Sequence, residues 1–248
     1  MKALVTGGSS GIGRDMAIYL SKLGYDVILV SKDENKLKSV SKSIKGSSYY
    51  VCDISSKEEC IRLYNKVKSE DIDLLINNAG FGKFGEFNEI SLEDELNMID
   101  VNIKGVHILT KLFLNDFIKK DSGYILNVAS SAAFEPGPLM ATYYSTKAYV
   151  LRLTTSIYEE LRRKKSNVHV SVFCPGPVRT NFNNVANVKF EIKSISSDYA
   201  AKYAIDKMFK NKLVIIPTFY MKALVFLTRL TPTKLLARIA YNIQNKKR

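Results

Sequence analysis

The sequence predicts a single doubly wound α/β domain, with a parallel sheet of about seven strands and helices on both faces. Three observations predict it. Short apolar runs alternate with amphipathic stretches of helical length from Lys2 to Phe173, and strands joined by helices of that length require right-handed crossovers and a parallel sheet. A glycine-rich turn, Gly7-Gly8-Ser9-Ser10-Gly11-Ile12-Gly13, stands between the first strand and the first helix. No linker, internal repeat or low-complexity segment divides the 248 residues, so 1–216 reads as one domain and 217–248 as its apolar and basic helical extension.

Each element has its own signal. Residues 2–6 form a short buried strand. The helix after the glycine turn carries Met16, Ala17, Leu20 and Leu23 at helical spacing, and Gly24 closes it. Residues 26–31 read as a second strand, 34–44 as a lysine-rich helix and 48–52 as a third strand. A helix over 57–69, a strand over 72–76 and a long helical region over 91–119 follow. Then come a strand over 124–129, a helix over 141–164 and a strand over 168–173. In the glycine turn, Gly7 permits the tight reversal, Gly11 lets backbone approach a pyrophosphate and Gly13 allows close packing, so the helix N-terminus can hold phosphate charge.

Charge and cysteines narrow the function classes. The formal net charge is +13, yet from Lys202 onward eleven Lys/Arg face one acid, Asp206, which leaves the body close to neutral. That distribution argues against a nucleic-acid protein with a basic stripe across its fold. Cys52, Cys60 and Cys174 lack metal-ligand or disulfide spacing, and with His107 and His169 as the only histidines no metal site is expected. Reduced thiols, and a first strand starting at Lys2 with no room for a signal peptide, point to the cytoplasm.

The chemistry centres on Tyr143 and Lys147, read with Ser130 thirteen positions upstream. Residues four apart on a helix share a face, so the phenol and the ammonium project into one space, where the cation is expected to lower the tyrosine pKa toward the general acid–base range. Spacing alone is weak, since Tyr64/Lys68 and Tyr203/Lys207 repeat it. Only Tyr143 has a serine thirteen residues earlier, at the end of an apolar run.

With these motifs in order, residues 2–182 resemble the short-chain dehydrogenase/reductase family, a Rossmann-type fold. The resemblance rests on Thr6-Gly7-x-x-x-Gly11-Ile12-Gly13, Asp53-Ile54, Asn77-Asn78-Ala79-Gly80, Asn102, Ser130, Tyr143, Lys147 and Pro175-Gly176. It implies an NAD(P)-dependent oxidoreductase in which Tyr143 exchanges a proton with the substrate oxygen and Ser130 orients that oxygen. Lys147 would hold the nicotinamide ribose and lower the Tyr143 pKa, and Asn102 would anchor a relay water. It further implies an adenine contact from Asp53 and Ile54, cofactor-side roles for Asn78, Ala79, Gly80 and Val178, and a carboxamide contact from Thr180. Family members commonly pair through two long helices, so a homodimer or tetramer is expected. Ser131 and Tyr144 read as adjacent decoys, Ser131 because strand alternation would turn it away from Ser130.

Cofactor choice follows from the end of the second strand. Enzymes that select NAD place an acid there; here it is Ser31, followed by Lys32, with Ser9, Ser10 and Arg14 as further donors, so NADP(H) is expected in preference to NAD(H). Asp33 is the contrary feature, because a strand ending later would make it the acid.

The segment between Ser130 and Tyr143 is apolar and borders the reacting oxygen, and residues beyond Pro217 continue that theme. Leu235, Leu236, Ile239, Ala240 and Ile243 form one helical stripe beside Lys234 and Arg238, with Lys246-Lys247-Arg248 at the end. The apolar stretch is too short to span a bilayer. A basic amphipathic helix suits an anionic membrane surface, and the same stripe suits a pocket cover or subunit contact. The expected function is hydride transfer to or from a hydrophobic ketoacyl- or steroid-like ketone. The alternative is a catalytically quiet NADPH-binding sensor or membrane-docking relative.

Overall fold

The computed structural model describes residues 1–180, 182 and 194–246. Lys247 and Arg248, at the end of the basic tail, lie outside the described residues. Along the chain run β1 (Lys2–Thr6), α1 (Gly11–Lys22), β2 (Asp26–Ser31), α2 (Glu34–Ser43), β3 (Ser47–Val51), α3 (Lys57–Val67) and β4 (Leu74–Asn77). Next come α4 (Leu92–Ile99), a π-helical turn (Asp100–Gly105), α5 (Val106–Lys119), β5 (Gly123–Val128), α6 (Ala141–Arg163) and β6 (Val168–Phe173). The chain closes with β7 (Val178–Arg179), β8 (Ile195–Ser196), α7 (Ser197–Met208), β9 (Val214–Ile215), α8 (Phe219–Leu230) and α9 (Thr233–Asn245).

The seven-stranded sheet has the order β3-β2-β1-β4-β5-β6-β9, and every pairing is parallel. Alternation in the strands explains its two covered faces. In β1, Ala3 and Val5 join the core under α1 and α7, whereas Leu4 joins the core under α3 and α5; Leu74 and Ile76 divide from Leu75 in β4 in the same way. The strand order reverses between β1 and β4, and in an open parallel sheet the crevice beyond the strand ends at that point is where ligands sit.

Two features lay beyond a reading of periodicity. The long helical region is broken by the π turn, which buries Asn102 completely. The seventh strand is a two-residue edge, Val214–Ile215, too short to carry a pattern.

Candidate active site

The ends of the central strands turn into the loops that build one cavity of about 420 Å³. The nucleotide-like end is made by the turn after β1. Gly7 takes φ +65, and a Cβ there would stand 2.8 Å from Asn78 Nδ2 and 2.9 Å from the Ala79 backbone. At Gly13 a Cβ would collide with the Asn78 amide and the Gly7 carbonyl oxygen, so this glycine serves the closeness of turn and β4 loop. Asn78 ties the two together: its Nδ2 donates to the carbonyls of Thr6 (3.1 Å) and Gly7 (3.3 Å), and its N–H donates to Thr6 Oγ1 at 3.0 Å. Ser10 makes no capping hydrogen bond to α1, and no acid stands in the helix's first turn. Among the described residues the first amides of α1 therefore have neither a side-chain acceptor nor a competing carboxylate, which suits a ligand phosphate.

At the end of β2, Ser9 Oγ donates to Ser31 Oγ at 3.0 Å, and Lys32 lines the cavity beside them. Asp33 is occupied elsewhere. It caps α2 by accepting from the Lys36 N–H at 3.0 Å, and it pairs with Lys36 Nζ at 2.9 Å; these bonds hold its carboxyl below the usual range. Arg14, a further candidate donor in the sequence, is instead paired with Asp15 at 2.9 Å and is not part of the cavity wall. Asp53 lines the cavity, and its Oδ1 accepts from the Ser55 N–H at 3.0 Å. Burial raises its pKa, but the Ser55 bonds and the nearby Lys32 charge outweigh it and leave the carboxyl net below its ordinary value.

The other end carries the reactive groups. Tyr143 lies in the first turn of α6 and Lys147 one turn later; both side chains are buried. Ser130 follows β5 and opens a 3₁₀ turn over Ser131–Phe134, where its Oγ accepts from the Ala132 N–H at 3.2 Å. Ser130 and Tyr143 both line the cavity, and Ser130 acts on the phenol to lower its pKa. Lys147 Nζ donates to the Val128 carbonyl at 3.0 Å and lies 5.8 Å from the centroid of the Tyr143 ring. The other Tyr-x-x-x-Lys pairs stand outside this cavity: Tyr64 donates to Asp116, and Lys207 stacks over Tyr203.

The electrostatics correct one expectation. Burial pushes Tyr143 up to about 12, with only the Ser130 bond acting downward, and burial pushes Lys147 down to about 8. Desolvation outweighs the attraction that was expected to acidify the phenol, because the ammonium is engaged by Val128 and is itself disfavoured in this surrounding. Tyr143 therefore holds its proton at neutral pH and is a proton donor in waiting.

Besides Arg14, the sequence-predicted site residues that do not line the cavity are Asn102 and Gly13, which stand behind its wall. The Asn102 side chain is held at both ends: Oδ1 accepts from the Phe81 N–H at 3.1 Å, and Nδ2 donates to the Phe81 carbonyl at 2.8 Å and to Thr146 Oγ1 at 3.0 Å. It fixes the loop after β4 against α6. Gly80 makes room for it, since a Cβ there would stand 2.9 Å from Asn102 Oδ1 and 3.1 Å from Lys147 Nζ.

Two residues set aside as decoys do line the cavity. Strand alternation ends at Val128, so Ser131, at the start of the 3₁₀ turn, is not turned away as a continued strand would require. Tyr144 reaches Gln244 of α9, whose amide donates to its phenol oxygen; Gln244 is 2% exposed and also forms cavity wall. Gln244 was missed from sequence. The only signal was its position one turn beyond Ala240.

The chain matches the short chain dehydrogenase family over residues 1–189. It belongs to that family. An uncharacterized oxidoreductase of Staphylococcus saprophyticus is 35% identical over 216 residues, covering 83% of this chain and 91% of the relative. Among solved structures, a short-chain dehydrogenase from Sphingobium yanoikuyae in complex with NADPH is similar with a TM-score of 0.84 at 25% identity, over 92% of this chain and 93% of that one. A 3-ketoacyl-(acyl-carrier-protein) reductase from Brucella melitensis complexed with NADH is similar with a TM-score of 0.78 at 25% identity, over 87% and 96%. This short-chain dehydrogenase is thus an oxidoreductase of a family whose solved neighbours hold either phosphorylated or unphosphorylated nicotinamide dinucleotides.

Proposed function

We propose that this short-chain dehydrogenase transfers hydride between NADP(H) and the carbonyl or secondary alcohol of a hydrophobic substrate. The observation that carries the reading is that Ser130, Tyr143 and, one helical turn later, Lys147 share the wall of one cavity whose far end is a glycine turn and an uncapped helix N-terminus. Gly7, Gly11 and the first turn of α1 would hold the diphosphate, and Lys147 would reach the nicotinamide ribose. The bound cofactor supplies the hydride.

Everything else is done by the chain. Charge grows on the carbonyl oxygen as hydride arrives, and Ser130 and Tyr143 are donors already in place to meet it. Tyr143, protonated at neutral pH, transfers its proton to that oxygen; an alkoxide is a far stronger base than a phenolate, so even a pKa of about 12 leaves the transfer downhill. The phenolate formed is then stabilised by the Ser130 hydroxyl and by the Lys147 ammonium. The substrate end is apolar, with Phe81, Ala132, Met140 and Phe182 in its wall, which favours a ketoacyl- or steroid-like ketone.

NADP(H) is favoured over NAD(H) by the Ser9–Ser31 hydroxyl pair beside Lys32, with Asp33 committed to capping α2. We further read the protein as a cytoplasmic homo-oligomer paired through α5 and α6, consistent with three buried free thiols and with the nearly neutral body. The test is consumption of NADPH and of NADH with a panel of hydrophobic ketones. Turnover with NADPH preferred is the expected result. Preference for NADH refutes the cofactor assignment, and NADPH binding without turnover on any ketone favours a sensor.

A further inference from the structure

The two C-terminal helices are amphipathic the wrong way round for a free surface. Helix α8 turns Met221, Val225 and Thr228 toward the body, and its outer side is the more apolar one: Phe219 is 86% exposed, Leu230 67% and Phe226 59%, with Tyr220 and Leu227 alongside. In α9 the stripe read from the sequence divides into two. Leu236 and Ala240 face inward with Gln244, whereas Leu235, Ile239 and Ile243, one turn apart, stand in solvent. Scattered apolar side chains are ordinary on a surface; a continuous set on adjoining helices marks a surface that is covered in use.

What covers it is indicated by charge. From Pro217 to the C-terminus there are seven Lys/Arg and no Asp or Glu. Among the described residues Lys222, Arg229, Lys234 and Arg238 have no carboxylate partner, and all four are exposed on these helices beside the apolar set. A second copy meeting this face symmetrically would bring the same cations together with no acid to compensate. The helices are 12 and 13 residues long, and no helix among the described residues is long and apolar enough to cross a membrane. Short apolar ridges flanked by unpaired cations suit the plane of an anionic lipid surface, where side chains enter the acyl boundary and ammonium and guanidinium groups meet lipid phosphates.

We propose that the outer face of α8 and α9 docks this protein on an anionic membrane surface. The inference does not depend on which ketone is reduced. It has a consequence for the site, because α9 also carries Gln244 into the cavity wall: a docked molecule holds that wall about one helix diameter, ~10 Å, from the lipid.

The test is sedimentation of the full chain with phosphatidylcholine vesicles and with vesicles containing phosphatidylglycerol, at low salt and at about 0.5 M salt. Binding is expected on the anionic vesicles, weaker by at least about fivefold on neutral ones and at high salt. The triple variant Phe226→Ser/Leu230→Ser/Ile239→Ser and the pair Lys234→Glu/Arg238→Glu should each lower it by a similar factor while their melting temperatures stay at the parent value, since all five side chains are exposed. Failure of the parent to sediment with anionic vesicles overturns the proposal, as does sedimentation of both variants at the parent level. Concentration-dependent dimerisation removed by the triple serine variant, with no lipid binding, overturns it in favour of a second copy.

Discussion

Replacing Lys147 with Met should make the cofactor-free protein more stable while abolishing its activity. Burial holds Lys147 at about 8 against an ordinary value of 10.5, so its charged form is disfavoured by folding. For a base with a depressed folded pKa the penalty is fully present below the folded value, fades between the two values and vanishes above the unfolded one. Working it through gives a cost of about 3 kcal/mol at pH 7 and about 1 kcal/mol at pH 9.5. Methionine removes the charge and keeps the length, but it loses the hydrogen bond to the Val128 carbonyl, worth about 1 kcal/mol. The variant should therefore gain about 2 kcal/mol at pH 7 and be close to neutral at pH 9.5. Urea denaturation of both proteins at the two pH values measures it. A variant less stable than the parent at pH 7, or a difference that does not change with pH, would refute the claim that the ammonium is held against its solvation preference.

Other substitutions probe the remaining parts of the site. Ser31→Asp should raise KM for NADPH by about tenfold or more, through repulsion of the 2'-phosphate, and leave KM for NADH little changed or improved; equal effects on both in steady-state kinetics would count against Ser31. Gly13→Ala should cost about 2 kcal/mol or more in chemical denaturation, because the Cβ must displace the Asn78 amide or the Gly7 carbonyl. Gln244→Leu removes the partner of Tyr144 at the substrate end and should raise KM for ketones by about threefold to thirtyfold, with NADPH affinity and kcat nearly unchanged. A matching loss of NADPH affinity would show that the helix acts on the whole cavity.

What the sequence disclosed, and what it did not, divides along the range of the forces involved. Strands such as β2 and β6 were legible to the residue, β2 as a continuous apolar run from Val27 to Val30 and β6 as valines alternating with His169 and Ser171 before Phe173. Asp33 shows how a local rule resolves an ambiguity: an acid before a lysine-rich helix is a capping residue, and its bond to the Lys36 N–H takes it away from the cavity. The contact between Tyr144 and Gln244 joins residues 100 positions apart, so no periodicity could announce it. The stripe in α9 was visible, but its division into buried and exposed halves depends on where the body lies. The pKa of Tyr143 was read with the wrong sign because one-turn spacing shows a cation nearby and is silent about how much water both groups lose.

The central claim is that Tyr143 delivers the proton to a carbonyl oxygen held by Ser130. Its most direct test is the single-turnover rate of NADPH oxidation by an accepted ketone, in the parent and in Tyr143→Phe, with NADPH binding followed separately. The account predicts unchanged NADPH affinity and a fall in the rate of about a hundredfold or more. A phenylalanine variant that still reduces the ketone within a few fold of the parent would contradict it.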